Sequence, residues 1–178
     1  MWLDTHCHLD APEFASHLGE VIEAAAKNQV QGILLPAVKA SDAPNIRALV
    51  AQHFQTIPGL VYTLGIHPLY VEQSTQADLD LLATEVKDAL HDPRFVGIGE
   101  IGLDYFVEGL DRTRQAYFFE QQGRVISLEE LHQVIEWLTG FDQKEWEGLI
   151  AEKATFATFF DRARPVPFGS TSESRDRV

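Results

Sequence analysis

The stretch Asp4-Thr-His6-Cys-His8 sets two imidazoles two residues apart, close behind a carboxylate. An expected strand over residues 3–8 would turn i and i+2 to one face, so His6 and His8 could chelate one cation. Imidazole suits zinc, manganese and similar divalent metals. Asp4 shares that face and is expected to orient a ligating ring by hydrogen bonding. Two buried neutral core histidines are the competing reading, but adjacent same-face imidazoles behind an aspartate are hard to bury without a ligand. A second carboxylate, Glu100, stands in Gly99-Glu100-Ile-Gly102-Leu-Asp104-Tyr105, at the end of an expected strand over 95–100. Its two oxygens can bridge metals; the competing reading is a solvated or capping glutamate. Gly97, Gly99 and Gly102 are expected to let the backbone approach closely there. A third signal is Gly65-Ile-His67-Pro68, where His67 is expected to meet a phosphate or a leaving group.

Positioning these residues calls for strands that end at a common rim. The apolar runs 30–37 and 60–66, with 3–8 and 95–100, read as four strands. Between them lie helical patterns over 13–28 (Phe14, Leu18, Val21, Ile22 and Ala25 on one face), 41–54, 75–90 and 110–122. Four βα units in succession predict an α/β fold with a parallel sheet and helical crossovers. A closed eight-stranded barrel takes about 250 residues, so four units make half of one. Catalytic groups in such barrels gather at the C-terminal ends of the strands, where Glu100 and His67 are expected.

Beyond Gln122 the pattern turns all-helical. Ser127-Leu-Glu-Glu130 reads as a capping box, followed by Leu128, Leu131, Val134, Ile135 and Leu138 at helical spacing. The expected divisions are an incomplete barrel over 1–122, a helical segment of other origin over 123–164 and a disordered tail over 165–178.

The chain has 178 residues, 45% of them hydrophobic, and a formal net charge of −13. That charge disfavours a passive nucleic-acid binder, which needs a basic stripe. It does not exclude a nuclease, because bound divalent cations reverse the local field. Cys7 is the only cysteine, so no intrachain disulfide forms. With no leader pattern and no apolar stretch of membrane length, a cytoplasmic protein with no membrane partner is expected.

The motifs DTHCHLD, GIHP and GEIGLDY, in that order, with the helix DRTRQAYFFEQQ at 111–122, resemble the TatD family of metal-dependent DNases. The resemblance implies the first four βα units of a TIM-barrel-like hydrolase that cuts phosphoester bonds with metal-activated water. It implies His6, His8 and Glu100 as metal ligands, Glu100 and His67 as catalytic groups, and His67 and Asp104 as substrate contacts. It also implies magnesium, manganese or zinc as cofactor and DNA or another phosphoester as substrate. Related barrels acting on C–N bonds often carry a bridging lysine where Glu100 stands; the nearest preceding lysine is Lys87, which disfavours a small-molecule amidohydrolase.

The family's remaining ligands, two histidines and an aspartate on later strands, find no counterpart. His132 is the only histidine after Gln122, and it falls in the capped helix. Residues about 125–160 instead resemble a small uncharacterised bacterial domain family, through VIEWLTG at 134–140 and TFATFF at 155–160. The alternative expectation is therefore a truncated half-barrel without turnover, acting as a metal-binding or interaction protein. Its open sheet edge offers a place for a homodimer to form.

Overall fold

The computed structural model describes residues 2–126. Four strands, β1 (Trp2–Asp4), β2 (Val30–Pro36), β3 (Gly59–Leu64) and β4 (Phe95–Ile98), form one sheet in the order β1-β2-β3-β4. Every neighbouring pair is parallel. The crossovers are α1 (Leu18–Lys27), α2 (Ala43–His53) and α3 (Gln76–Ala89); α4 (Arg112–Gln122) follows β4. Consecutive strands joined by right-handed crossovers place all their helices on one face, so the sheet curls as part of a barrel wall. The expected α/β fold with a parallel sheet and helical crossovers matches this architecture. The helical segment and tail expected further on lie, from residue 127, outside the described residues.

The helix-covered face is the core. Ile33 and Leu35 from β2, Leu60, Tyr62 and Leu64 from β3, and Phe95 from β4 are buried beneath Ile22, Ile46, Val50, Leu79, Leu82, Val86 and Phe118. In register, Leu35 lies beside Tyr62 and Tyr62 beside Phe95. The two rings meet at 5.7 Å and a 53° tilt. The Tyr62 hydroxyl donates to Asp92 Oδ2 at 3.0 Å. Burial first, and then the Asp92 carboxylate, push that phenol well above its ordinary range. Trp2 and Leu3, on the outer strand β1, are 69% and 64% exposed, and no described strand pairs beyond β1 or β4.

Two expected elements are shorter than the patterns suggested. The helix expected over 13–28 divides into a 3-10 turn at Pro12–Phe14 and α1 from Leu18. Ser16, His17 and Gly19 are poor helix formers at the junction. The strand expected over 3–8 ends at Asp4, because the Asp4 carboxylate takes the His6 N–H at 3.1 Å. Such a side-chain turn competes with the ladder.

α3 starts where the sequence puts its cap. Asp78 Oδ2 accepts the Thr75 N–H at 2.7 Å and the Thr75 hydroxyl at 2.8 Å. These hydrogen bonds hold the Asp78 carboxyl below its ordinary value of 3.8. α4 is capped by Asp111, whose Oδ1 accepts from the Thr113 and Arg114 N–H groups.

α4 has little apolar character on which to dock, and two buried glutamines fasten it. Gln115 accepts the Asp104 N–H at 2.8 Å and donates to the Asp104 carbonyl at 2.9 Å. Gln122 does the same to Ile66, at 2.6 and 3.0 Å. Their exposures are 0% and 1%, so neither clamp is shared with bulk water. Each amide satisfies both polar groups of one residue in a loop, as a neighbouring strand would.

Replacing Gln115 or Gln122 by leucine leaves an N–H and a C=O unpaired, and each variant should lose roughly 2–4 kcal/mol in urea unfolding. A loss of only a few tenths would mean that the clamps are dispensable. For Asp78→Ala the cost should be up to about 1 kcal/mol at neutral pH. Its lowered carboxyl stabilises the fold above pH 3.8 and gives that up as pH falls through the folded value, so the gap between wild type and variant should close in acid. Paired thermal melts at neutral and acid pH test this.

Candidate metal centre

Three chain segments meet above the C-terminal ends of the strands. After the Asp4 turn the chain rejoins β2, where the Cys7 N–H donates to the Leu34 carbonyl at 3.0 Å. Cys7 packs against the core, and its thiol is pushed up, first by burial and then by Asp4 and Asp10. His6 and His8 turn outward from this bend. Their rings lie edge to face with centroids 5.0 Å apart, and their Nε2 atoms are 3.1 Å apart. The two imidazoles do converge, but through the bend after β1 and not through strand alternation.

Glu100 comes from beyond β4. The Gly99 N–H donates to the Leu64 carbonyl and the Glu100 N–H to the Ala37 carbonyl, both at 2.9 Å. These bonds draw the Gly99–Glu100 peptide, which is cis, across the ends of β3 and β2. It passes so close to Gly65 that a Cβ there would lie 2.7 Å from the Gly99 carbonyl carbon and 2.8 Å from the Glu100 oxygen. The glycine that permits close approach is thus Gly65. Gly97 and Gly102, expected to serve that purpose, have open space around them; they are needed for φ values of +149° and +154°. A Cβ at Gly99 would lie 3.0 Å from Thr63 Oγ1.

His67 follows β3, held by its N–H to the Val38 carbonyl at 3.0 Å. Its Nδ1 accepts the Leu69 N–H at 3.1 Å, so the ring proton sits on Nε2. Nε2 in turn lies 3.1 Å from Glu100 Oε1, to which it donates. That leaves Oε2 toward the histidine pair, at 3.4 Å from His6 Nε2 and 3.9 Å from His8 Nε2. His6, His8 and Glu100 each offer one donor atom, all within 4.8 Å of one another.

This donor set fits a divalent cation. Ligand bonds of about 2.0–2.1 Å at tetrahedral to right angles separate donor atoms by roughly 2.9–3.4 Å. The His6–His8 and His6–Glu100 separations, 3.1 and 3.4 Å, fall within that range, and the 3.9 Å pair asks for a wider angle. His6 is exposed and His8 and Glu100 are half-buried, so the cluster opens to solvent.

Of the residues singled out in the sequence, His6, His8, His67 and Glu100 come together. Asp4 bonds the His6 backbone N–H, not a ring, so among the described residues it shapes the bend and does not orient an imidazole as expected. Asp104 is engaged elsewhere: its Oδ1 accepts the Phe106 N–H at 2.9 Å and its backbone is held by Gln115. No recorded hydrogen bond or ion pair among the described residues links it to the cluster. Asp10, at the end of the first motif, has a buried Oδ1 without a hydrogen-bond partner among the described residues, and burial pushes its carboxyl up. Sequence reasoning missed Gly65, Gln115 and Gln122. The two glutamines lie seven apart on one helix face, which is their only signal.

Comparison with known proteins agrees with this picture. The model of the TatD related DNase family matches residues 3–128. A second model, of an uncharacterized protein conserved in bacteria, matches residues 112–170. The uncharacterized metal-dependent hydrolase YjjV of Escherichia coli K12 is 33% identical over 123 residues, 68% of this chain and 44% of that protein. The 3'-5' ssDNA/RNA exonuclease TatD of Erwinia tasmaniensis is 31% identical over 67% of this chain and 43% of its own length. The crystal structure of the E. coli YjjV protein superposes with a TM-score of 0.62 at 30% identity, covering 70% of this chain and 46% of that one. The chain therefore spans less than half the length of these relatives. Over residues 3–128, which carry the whole cluster, the chain belongs to the TatD-related DNase family of metal-dependent hydrolases.

Proposed function

We propose that this chain is a divalent-metal-dependent phosphodiesterase that acts on DNA, with His6, His8 and Glu100 as the metal ligands. The observation that carries the reading is the convergence of two imidazole nitrogens on one carboxylate oxygen while a third histidine holds the other. The names of two relatives, a deoxyribonuclease and a 3'-5' ssDNA/RNA exonuclease, support nucleic acid as the substrate class. The cytoplasm is the proposed compartment; among the described residues no helix is long and apolar enough to cross a membrane.

A divalent cation bound here would act as a Lewis acid on a phosphoryl oxygen and lower the pKa of its water. The chain's own residues prepare that chemistry. His67, by donating to Oε1, fixes the Glu100 carboxylate with Oε2 toward the histidine pair. Asp4 holds the bend that brings His6 beside His8. His67 and Asp104, on the loops after β3 and β4, are the proposed substrate contacts; His67 would have to release Glu100 or Leu69 to make one, and Asp104 has its Oδ1 on the Phe106 N–H. With a net charge of −13 on the chain, a bound cation would add positive charge for a polyanion at this rim.

A second reading is metal binding without turnover. It is favoured by the count of three ligands among the described residues, which suits one cation better than two.

Purified chain should cleave labelled single-stranded DNA with Mg²⁺ or Mn²⁺, stop with a chelator, and lose cleavage in a His6→Ala/Glu100→Ala variant. Folded protein that binds Mn²⁺ but cuts nothing would replace the first reading with the second. His67→Ala should weaken Mn²⁺ binding roughly 10- to 100-fold by freeing the Glu100 carboxylate. Titration calorimetry reads that change apart from turnover, and unchanged affinity would remove His67 from the orienting role.

A further inference from the structure

The described cations are distributed unevenly. Arg47 pairs with Glu85, Arg94 with Asp92 and Arg124 with Glu120. Arg114 is taken up by the carbonyls of Val71 and Ser74. Lys27 and Lys87 lie in the last turns of α1 and α3, at the end of the strands away from the cluster. Lys39 differs. It follows β2 at the rim, and among the described residues no carboxylate lies within ion-pair distance of its ammonium.

The ammonium of Lys39 sits 4.6 Å above the centre of the Tyr70 ring. The other edge of that contact chain leads to the metal centre. The Tyr70 and His67 rings are 6.3 Å apart at 77°, and His67 is the residue that donates to Glu100. Beside the pair lies a hollow of about 130 Å³, walled by Ser41, Gln73, Ser74 and Asp78. The Asp78 carboxylate there is occupied by Thr75.

We propose that Lys39 and Tyr70 form a subsite for single-stranded nucleic acid next to the metal centre, in which Lys39 neutralises a backbone phosphate and the Tyr70 ring stacks a base. A cation beside an aromatic face is the unit by which non-specific single-strand grooves are built. It also gives a chain of charge −13 a means to hold a polyanion at one rim, through an ammonium that no carboxylate among the described residues pairs. This inference deepens the nuclease reading and rests on it.

The test is fluorescence anisotropy of a labelled oligothymidine in chelator, where no cleavage occurs, over a series of salt concentrations. Lys39→Ala should bind about 5- to 10-fold more weakly at low salt and lower the salt slope by about 0.7, the loss of one phosphate contact. Lys39→Arg should restore the slope. Tyr70→Ala should weaken binding roughly 5- to 100-fold while Tyr70→Phe stays near wild type. Wild-type protein that does not bind, or Lys39→Ala with unchanged affinity and slope, overturns the subsite. Mn²⁺ titration and the cleavage assay report the metal centre separately. Metal-dependent cleavage together with Lys39-independent binding sinks the subsite alone, whereas Lys39-dependent binding without cleavage sinks the nuclease reading alone.

Discussion

Two backbone hydrogen bonds just past β4 control the geometry of the rim. The Gly99 N–H reaches the end of β3 and the Glu100 N–H reaches the residue after β2. Together they tie three strand ends into one surface and hand Glu100 to the histidines from the neighbouring segments. The contact is possible only because Gly65 presents no side chain to the peptide that crosses it. Everything chemical in this structure hangs on that crossing. Move the peptide outward by the width of a methyl group, and Oε1 leaves His67 while Oε2 leaves His6. Steric room at one position therefore decides whether four dispersed residues make a site.

The division of labour on Glu100 follows from tautomers. A neutral histidine offers one donor and one acceptor. At His67 the acceptor nitrogen is used by the Leu69 N–H, so the donor must face Glu100. Among the described residues, the Nε2 atoms of His6 and His8 meet only each other and Glu100. Two kinds of histidine thus flank a single carboxylate, one restraining it and two sharing with it.

Much of this was legible in the sequence, for reasons that differ by element. β2 and β3 were legible because strands covered by helices in a parallel sheet are nearly continuous apolar runs. α3 was legible because Leu79, Leu82 and Val86 keep helical spacing behind a cap. His6, His8 and Glu100 were legible as a group, although the expected reason for the histidine pair, alternation along a strand, gave way to a turn made by Asp4. Gln115 and Gln122 were not legible: a polar residue in a polar helix looks solvated until the backbone it satisfies is known. The role of His67 was equally hidden, since it depends on which nitrogen carries the proton. Asp104 shows the reverse case, a motif carboxylate that spends one oxygen on its own loop.

The clamp from Gln122 to Ile66 has a temporal consequence. Every residue of the metal cluster has been synthesised by position 100, yet the loop that carries His67 acquires its last backbone partners only from position 122. During translation the cluster's residues therefore leave the ribosome before the helix that steadies them. A nascent chain stalled just after Glu100 would hold the ligands without the brace, and cation capture would await about two dozen further residues plus those still inside the exit tunnel. The order of synthesis therefore places the brace on the His67 loop after all of the candidate ligands.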